Sequence, residues 1–333
     1  MRNLLFTMLL SVCSNLFAQT QKPEDFGFRY LKLSFNEVQT DVLVLSKKGE
    51  EDKVKPLFLF CQGSLPIPLI ITDSGAPYPS FPFATESLSK NFHLAIIGKP
   101  GIPAVSQVSE LQHDFSYIEK STGMPPAVFL TNNELSFYVK RNLSVVDELL
   151  KQKYVAKGKI VVAGHSQGAR IAYEMCASSK KITHLIYAAG NPCGQIMSMI
   201  SRTRQRENPA DTNTFAENDF SYYQAAVADS NNTDITYGES LKSIHSFSSP
   251  IVNRFPTLNI PILISYGTYD NSALLNDYLR TEIIRKRKTN FTFNAYIGLD
   301  HNFFGMKETG EVDYDNFNWD KVALDWEKWL GIN

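Results

Sequence analysis

The chain is short of cysteine, of charge imbalance and of long apolar runs. Of its 333 residues 4 are Cys, and Cys13 sits in the apolar amino terminus, which leaves Cys61, Cys176 and Cys193. An odd number excludes a complete disulfide framework. A bridge between Cys176 and Cys193 stays open beside the plainer reading of buried thiols. No CxxC, no HExxH and no Cys/His cluster at zinc-ligand spacing occurs, so no metal and no cofactor is implied. With 33 basic and 34 acidic residues the net charge is −1, which gives no long-range field for nucleic acid or an anionic membrane. The charged fraction is 20%, below the ~25% of an average soluble domain, which excludes disorder and a coiled coil. No internal repeat is present.

Beyond the amino terminus no apolar run reaches the ~20 residues of a membrane helix. Residues 1–18 hold a basic Arg2, a short apolar run from Leu4 to Val12, and small Ser14 and Ala18 before the polar Gln19. This reads as a signal peptide cut after Ala18, with an exported, secreted or periplasmic product. Cys13 gives a weaker likeness to a lipoprotein signal.

What the chain does contain is apolar strands alternating with helices. Phe28 to Phe35 and Val42 to Leu45 predict an opening antiparallel pair. Continuous apolar runs follow at Leu57–Cys61, Leu94–Gly98, Ile160–Gly164, Leu185–Gly190, Ile262–Gly267 and Phe291–Ile297. Such runs mark strands buried on both faces. The spacing Thr131-Asn132-Asn133-Glu134 predicts a capping box opening a helix that carries Leu135, Val139, Leu143, Val146 and Leu150 on one face. Further helices are expected over residues 169–176, 272–286 and 319–330. The basic run Arg285 to Lys288 reads as a solvated helix end, and Trp319, Trp326 and Trp329 as packing residues. Alternation of this kind means an α/β fold with a mostly parallel sheet covered on both sides. Two stretches break the rhythm, residues 64–92 and 191–255, and long interruptions of this kind predict a lid or binding surface. The second holds Arg202, Arg204 and Arg206 and an aromatic group, Phe215, Phe220, Tyr222 and Tyr223, expected to cover a pocket.

The chemistry is expected at Gly164-His165-Ser166-Gln167-Gly168. G-x-S-x-G is common by chance, but here it joins a buried strand to a helix, where the serine is pushed up at the carboxyl edge of the sheet. On these residues the chain resembles the α/β-hydrolase superfamily over nearly all of its length. The resemblance implies a triad in the order Ser, acid, His. The one histidine beyond residue 245 is His301, in Gly298-Leu299-Asp300-His301-Asn302-Phe303, and the acid ending the preceding strand is Asp270 in Gly267-Thr268-Tyr269-Asp270. It further implies two backbone donors to an oxyanion, Gln167 N–H and Ser64 N–H, with Leu65 as the alternative. Gln62 stands where relatives often carry His. His165 is not expected to act as a second base.

After the expected signal segment (1–18), the resemblance divides the chain into a first core part (19–190), a lid insertion (191–255) and a second core part (256–333). It implies a secreted serine hydrolase of a small-molecule carboxylic ester or thioester. The alternatives are a serine peptidase, for which no acidic anchor for a substrate amine stands out, and a silent ligand-binding member. The oligomeric state is left open.

Overall fold

The computed structural model describes residues 21–235 and 238–332. The expected signal segment, with Cys13 and the cut after Ala18, lies outside the described residues.

Eight strands make one sheet: β1 (Phe28–Phe35), β2 (Val38–Leu45), β3 (Lys55–Cys61), β4 (His93–Ile97), β5 (Val155–His165), β6 (His184–Ala188), β7 (Ile262–Gly267) and β8 (Phe291–Tyr296). Their order is β1-β2-β4-β3-β5-β6-β7-β8. Strand β2 runs against both β1 and β4, and the remaining pairings are parallel. The main helices are α1 (Leu135–Leu149), α2 (Gln167–Ser178), α3 (Gln195–Arg204), α4 (Ala216–Ala228), α5 (Leu241–Phe247), α6 (Ala273–Arg285) and α7 (Trp319–Trp329).

Side chains alternate across a strand, and each run feeds two cores. Leu57, Leu59, Ile160, Val162, Leu185 and Ile264 join a cluster with α1, α2 and α6. Phe58, Phe60, Val161, Ala163, Ile186 and Leu263 join a second with α7. The sheet is thus covered on both faces, which is why its strands read as unbroken apolar runs. Trp319 and Trp326 are buried in the second core, whereas Trp329 is only half-buried.

Three expectations change. The Thr131 spacing does not cap α1: Ala127–Asn132 is a separate short helix, and the N-cap is Glu134, which makes no cap bond with its side chain. The Leu135 N–H donates instead to Ser246 Oγ (3.1 Å), 111 positions away. Residues 64–92 are largely structural. Phe81 and Phe83 are buried against Phe60, and Ile70–Asp73 pairs with Ala76–Pro77 and Val105–Gln107. The third concerns the stretch 191–255, which is helical and does not stay apart from the core. Its α3, α4 and α5 hold small clusters of their own (Ile196, Ile200 and Ala216; Tyr222, Ala226 and Ile244). Phe247, Ile251, Val252 and Phe255 pack in the first core, so the excursion ends at α5 rather than at residue 255. Cys61 and Cys176 are buried and Cys193 half-buried, all three as free thiols.

Candidate active site

Ser166 stands between β5 and α2 with φ 57° and ψ −124°. A non-glycine residue held there costs ~1–3 kcal/mol and persists only when its surroundings over-determine it. Ser166 N–H donates to Ala188 O (2.9 Å), and Ser166 O accepts from Ala169 N–H (3.0 Å). The flanking glycines are a packing requirement. A Cβ on Gly164 would lie 2.1 Å from Gly168 O, and one on Gly168 would lie 2.0 Å from Cys61 O. Strand, helix and the end of β3 cross here with no room for a methyl group.

The structure brings Ser166, His301 and Asp270 together. Ser166 Oγ–H donates to His301 Nε2 at 2.9 Å, and His301 Nδ1–H donates to Asp270 Oδ2 at 2.8 Å. The second oxygen of Asp270 accepts from Ser272 N–H (2.8 Å). The loop after β7 carries Asp270 and the loop after β8 carries His301. Tyr269 N–H donates to Leu299 O (2.9 Å), which ties the two loops together. Asp300 Oδ1 accepts from Asn302 N–H and Phe304 N–H and shapes the histidine loop.

Charge and burial oppose each other at both groups. Burial pulls His301 down, but the Asp270 carboxylate and its hydrogen bond outweigh this and hold the imidazole above its ordinary value. Burial pushes Asp270 up, and the same partner outweighs it, so the carboxyl stays below its usual range. Burial, with the nearby His301, drives His165 down to about 3, so it stays neutral. Its Nε2–H donates to the His301 carbonyl (2.9 Å) and its ring packs edge-on against Trp319. His165 holds the histidine loop in place.

Gln167 N–H opens α2 beside Ser166, and Ser64 and Leu65 line the same cavity. Among the described residues, none of these three N–H groups has a protein acceptor. A Cβ on Gly63 would sit 3.7 Å from Ser166 Cβ, so the loop passes close to the nucleophile position. Gln62 Nε2 donates to Ile97 O (3.1 Å), which anchors the loop to the end of β4.

The cavity has a volume of about 530 Å³, with Ser166, Asp270 and His301 in its lining. The insertion contributes Gln195, Met199, Arg202, Glu239 and Ile244. The predicted aromatic cover is not there: Phe215, Phe220, Tyr222 and Tyr223 are absent from the lining. Tyr222 is instead buried between α4 and α5, where its hydroxyl donates to Glu239 O (2.7 Å). On an amphipathic helix the apolar face was needed to pack helix on helix.

Sequence reasoning also missed buried charge. Lys99 Nζ donates to Gln167 Oε1 (3.3 Å) and lies 4.6 Å from the centre of the Tyr138 ring. Burial, helped by the Arg141 charge, pushes this lysine down to about 7. Arg141 donates to Gly98 O and Asn142 Oδ1. Its place on the buried face of α1, three residues from Tyr138 and four from Val145, was the available signal. Glu239 is an acid in the cavity wall. Burial raises its carboxyl, while the Ser243 hydroxyl (2.6 Å) and Gln195 amide donate to it.

A mostly parallel eight-stranded sheet, with a strained serine between its central strand and a helix, defines the α/β-hydrolase fold, and this chain has it. No family model and no curated protein matches the sequence. Solved structures do. 2,6-Dihydroxy-pseudo-oxynicotine hydrolase is similar with a TM-score of 0.54 and 15% identity, over 91% of this chain and 67% of that one. Porphyromonas gingivalis dipeptidyl peptidase 4 gives 0.54 and 13%, over 91% of this chain, which spans 35% of the peptidase's length. E-2-(Acetamidomethylene)succinate hydrolase gives 0.51 and 13%, over 91% and 99%. At such identities the likeness speaks to the fold alone.

Proposed function

We propose that the protein is an exported serine hydrolase that cleaves a carboxylic ester or thioester through an acyl-enzyme on Ser166. The observation that carries this is the hydrogen-bonded chain from Ser166 through His301 to Asp270, with its serine end in the wall of a cavity. Ser166 Oγ attacks the acyl carbon as its proton passes to His301 Nε2. The tetrahedral oxyanion is held by Gln167 N–H and Ser64 N–H. Collapse expels the alcohol or thiol, which takes the proton from His301, and water then repeats the sequence to free the acid. Asp270 remains ionised, fixing the tautomer and stabilising the imidazolium. No metal or cofactor enters these steps.

Glu239 favours a second reading, a peptidase that anchors a substrate amine. Both its oxygens already accept hydrogen bonds, from Gln195 and Ser243, which makes it a weak anchor and keeps the ester reading first. The two readings are told apart by substrate ranking. Short-chain aryl esters should turn over faster than aminoacyl anilides, and Ser166→Ala should abolish both. Faster anilide turnover would promote the peptidase. No turnover, together with no labelling by a fluorophosphonate, would leave a ligand-binding protein.

A further inference from the structure

The three arginines of the insertion divide by what they touch. Arg204 pairs with Glu207 (2.7 Å) and Glu217 (3.4 Å) and holds α3 to α4. Arg202 and Arg206 line the cavity that contains Ser166, and among the described residues neither makes an ion pair or a hydrogen bond through its side chain. The division follows helical spacing: Gln195, Ser198, Met199 and Arg202 share the cavity face of α3, and Arg206 continues it one turn on. The helix itself is tied beside the triad: Ser201 Oγ, one residue before Arg202, donates to Asn271 O (2.7 Å), next to Asp270. Arg202 is also near enough to act on the charges of His301 and Glu239.

The other charged groups of the lining are committed. Arg170 donates to Ser249 O and pairs with Glu174, Asp270 is held by His301, and Glu239 by Gln195 and Ser243. Two uncommitted guanidiniums therefore line the cavity that holds Ser166, and among the described residues of the lining no uncommitted carboxylate balances them. A planar guanidinium matches a carboxylate in a bidentate manner, and charge-assisted bonds of this kind are the stronger ones.

We infer that Arg202 and Arg206 form a carboxylate-binding subsite, and that the substrate is an acyl compound bearing a carboxylate away from the bond cut at Ser166. The bond that is cut rests on the serine-hydrolase reading; the anion subsite does not. The test compares aryl monoesters of succinic and glutaric acid with the methyl-capped diesters of the same acids. The wild-type protein should favour the anionic member by kcat/KM. In the Arg202→Gln, Arg206→Gln double variant that preference should fall about tenfold or more, chiefly through KM. Raising salt should shrink it in the wild type, since the groups are exposed. Arg204→Gln should keep it. A preference unchanged in the double variant, or a wild type that favours the capped ester, overturns the inference. Calorimetric titration of glutarate into the full chain carrying Ser166→Ala gives a readout free of turnover. Binding that weakens when both arginines are replaced supports the subsite, and equal binding overturns it. Failure of all esters with no Ser166 labelling would count against the hydrolase reading, and the glutarate titration would still decide the subsite.

Discussion

Asp270 and His301 each change the other's proton affinity, which yields a pH signature. Protonated His301 cannot accept the Ser166 proton, so kcat/KM on a neutral aryl ester should rise with pH. The inflection should lie above 6.5, because Asp270 raises the imidazole. Asp270→Asn should lower kcat by roughly 10⁴-fold if it follows the known triad effect, and move the residual inflection downward. Stopped assays across pH read both. Near-normal turnover in that variant would place the acid elsewhere. The glycines carry a stability prediction instead. A Cβ at Gly168 meets backbone at 2.0 Å, which no rotamer change relieves. Gly168→Ala should cost more than about 4 kcal/mol, or prevent recovery of folded protein. Gly158→Ala, with nothing within 4 Å of the added carbon, should stay within about 0.5 kcal/mol by urea denaturation.

At the scale of elements, the core and the insertion are separable only in part. Ser246 caps α1 and Phe247 belongs to the core, so an excision must stop short of α5. Replacing residues 207–234 by a short Gly-Ser linker removes α4 and leaves α3, β5, β7 and the histidine loop. Ser166 should still label, while KM and acyl preference shift. An unchanged substrate profile would deny the segment any lid role, and lost labelling in a folded chain would make it part of the triad's support. What was legible in the sequence follows the same division. Strands such as Leu57–Cys61 declared themselves because burial on both faces leaves no polar positions, and Ser166 because two glycines must flank it. The start of α1 was not legible, because its cap comes from Ser246, far along the chain. The stretch 64–92, with Phe81 and Phe83, and Tyr222 in the insertion misled for a related reason. An apolar side chain in an irregular or helical stretch announces burial but not the partner, and these three pack inward rather than over the cavity.

For the whole molecule, the two cores on either side of one sheet place Ser166, Asp270 and His301 at the carboxyl ends of β5, β7 and β8, where open α/β sheets bind ligands. The proposed export belongs to this scale. Mass spectrometry of the protein recovered from its native host should give a mature chain that begins at Gln19. A retained Met1 would contradict export, and a lipid on Cys13 would replace secretion by membrane anchoring. Among the described residues no helix is long and apolar enough to cross a membrane. The central claim, that Ser166 is a nucleophile activated by His301, is tested most directly by fluorophosphonate labelling with the modified peptide mapped. The account predicts one adduct, on Ser166, formed by the wild-type chain, absent in Ser166→Ala and strongly slowed in His301→Ala. A folded wild-type chain that takes no label, or takes it on another residue, would contradict it.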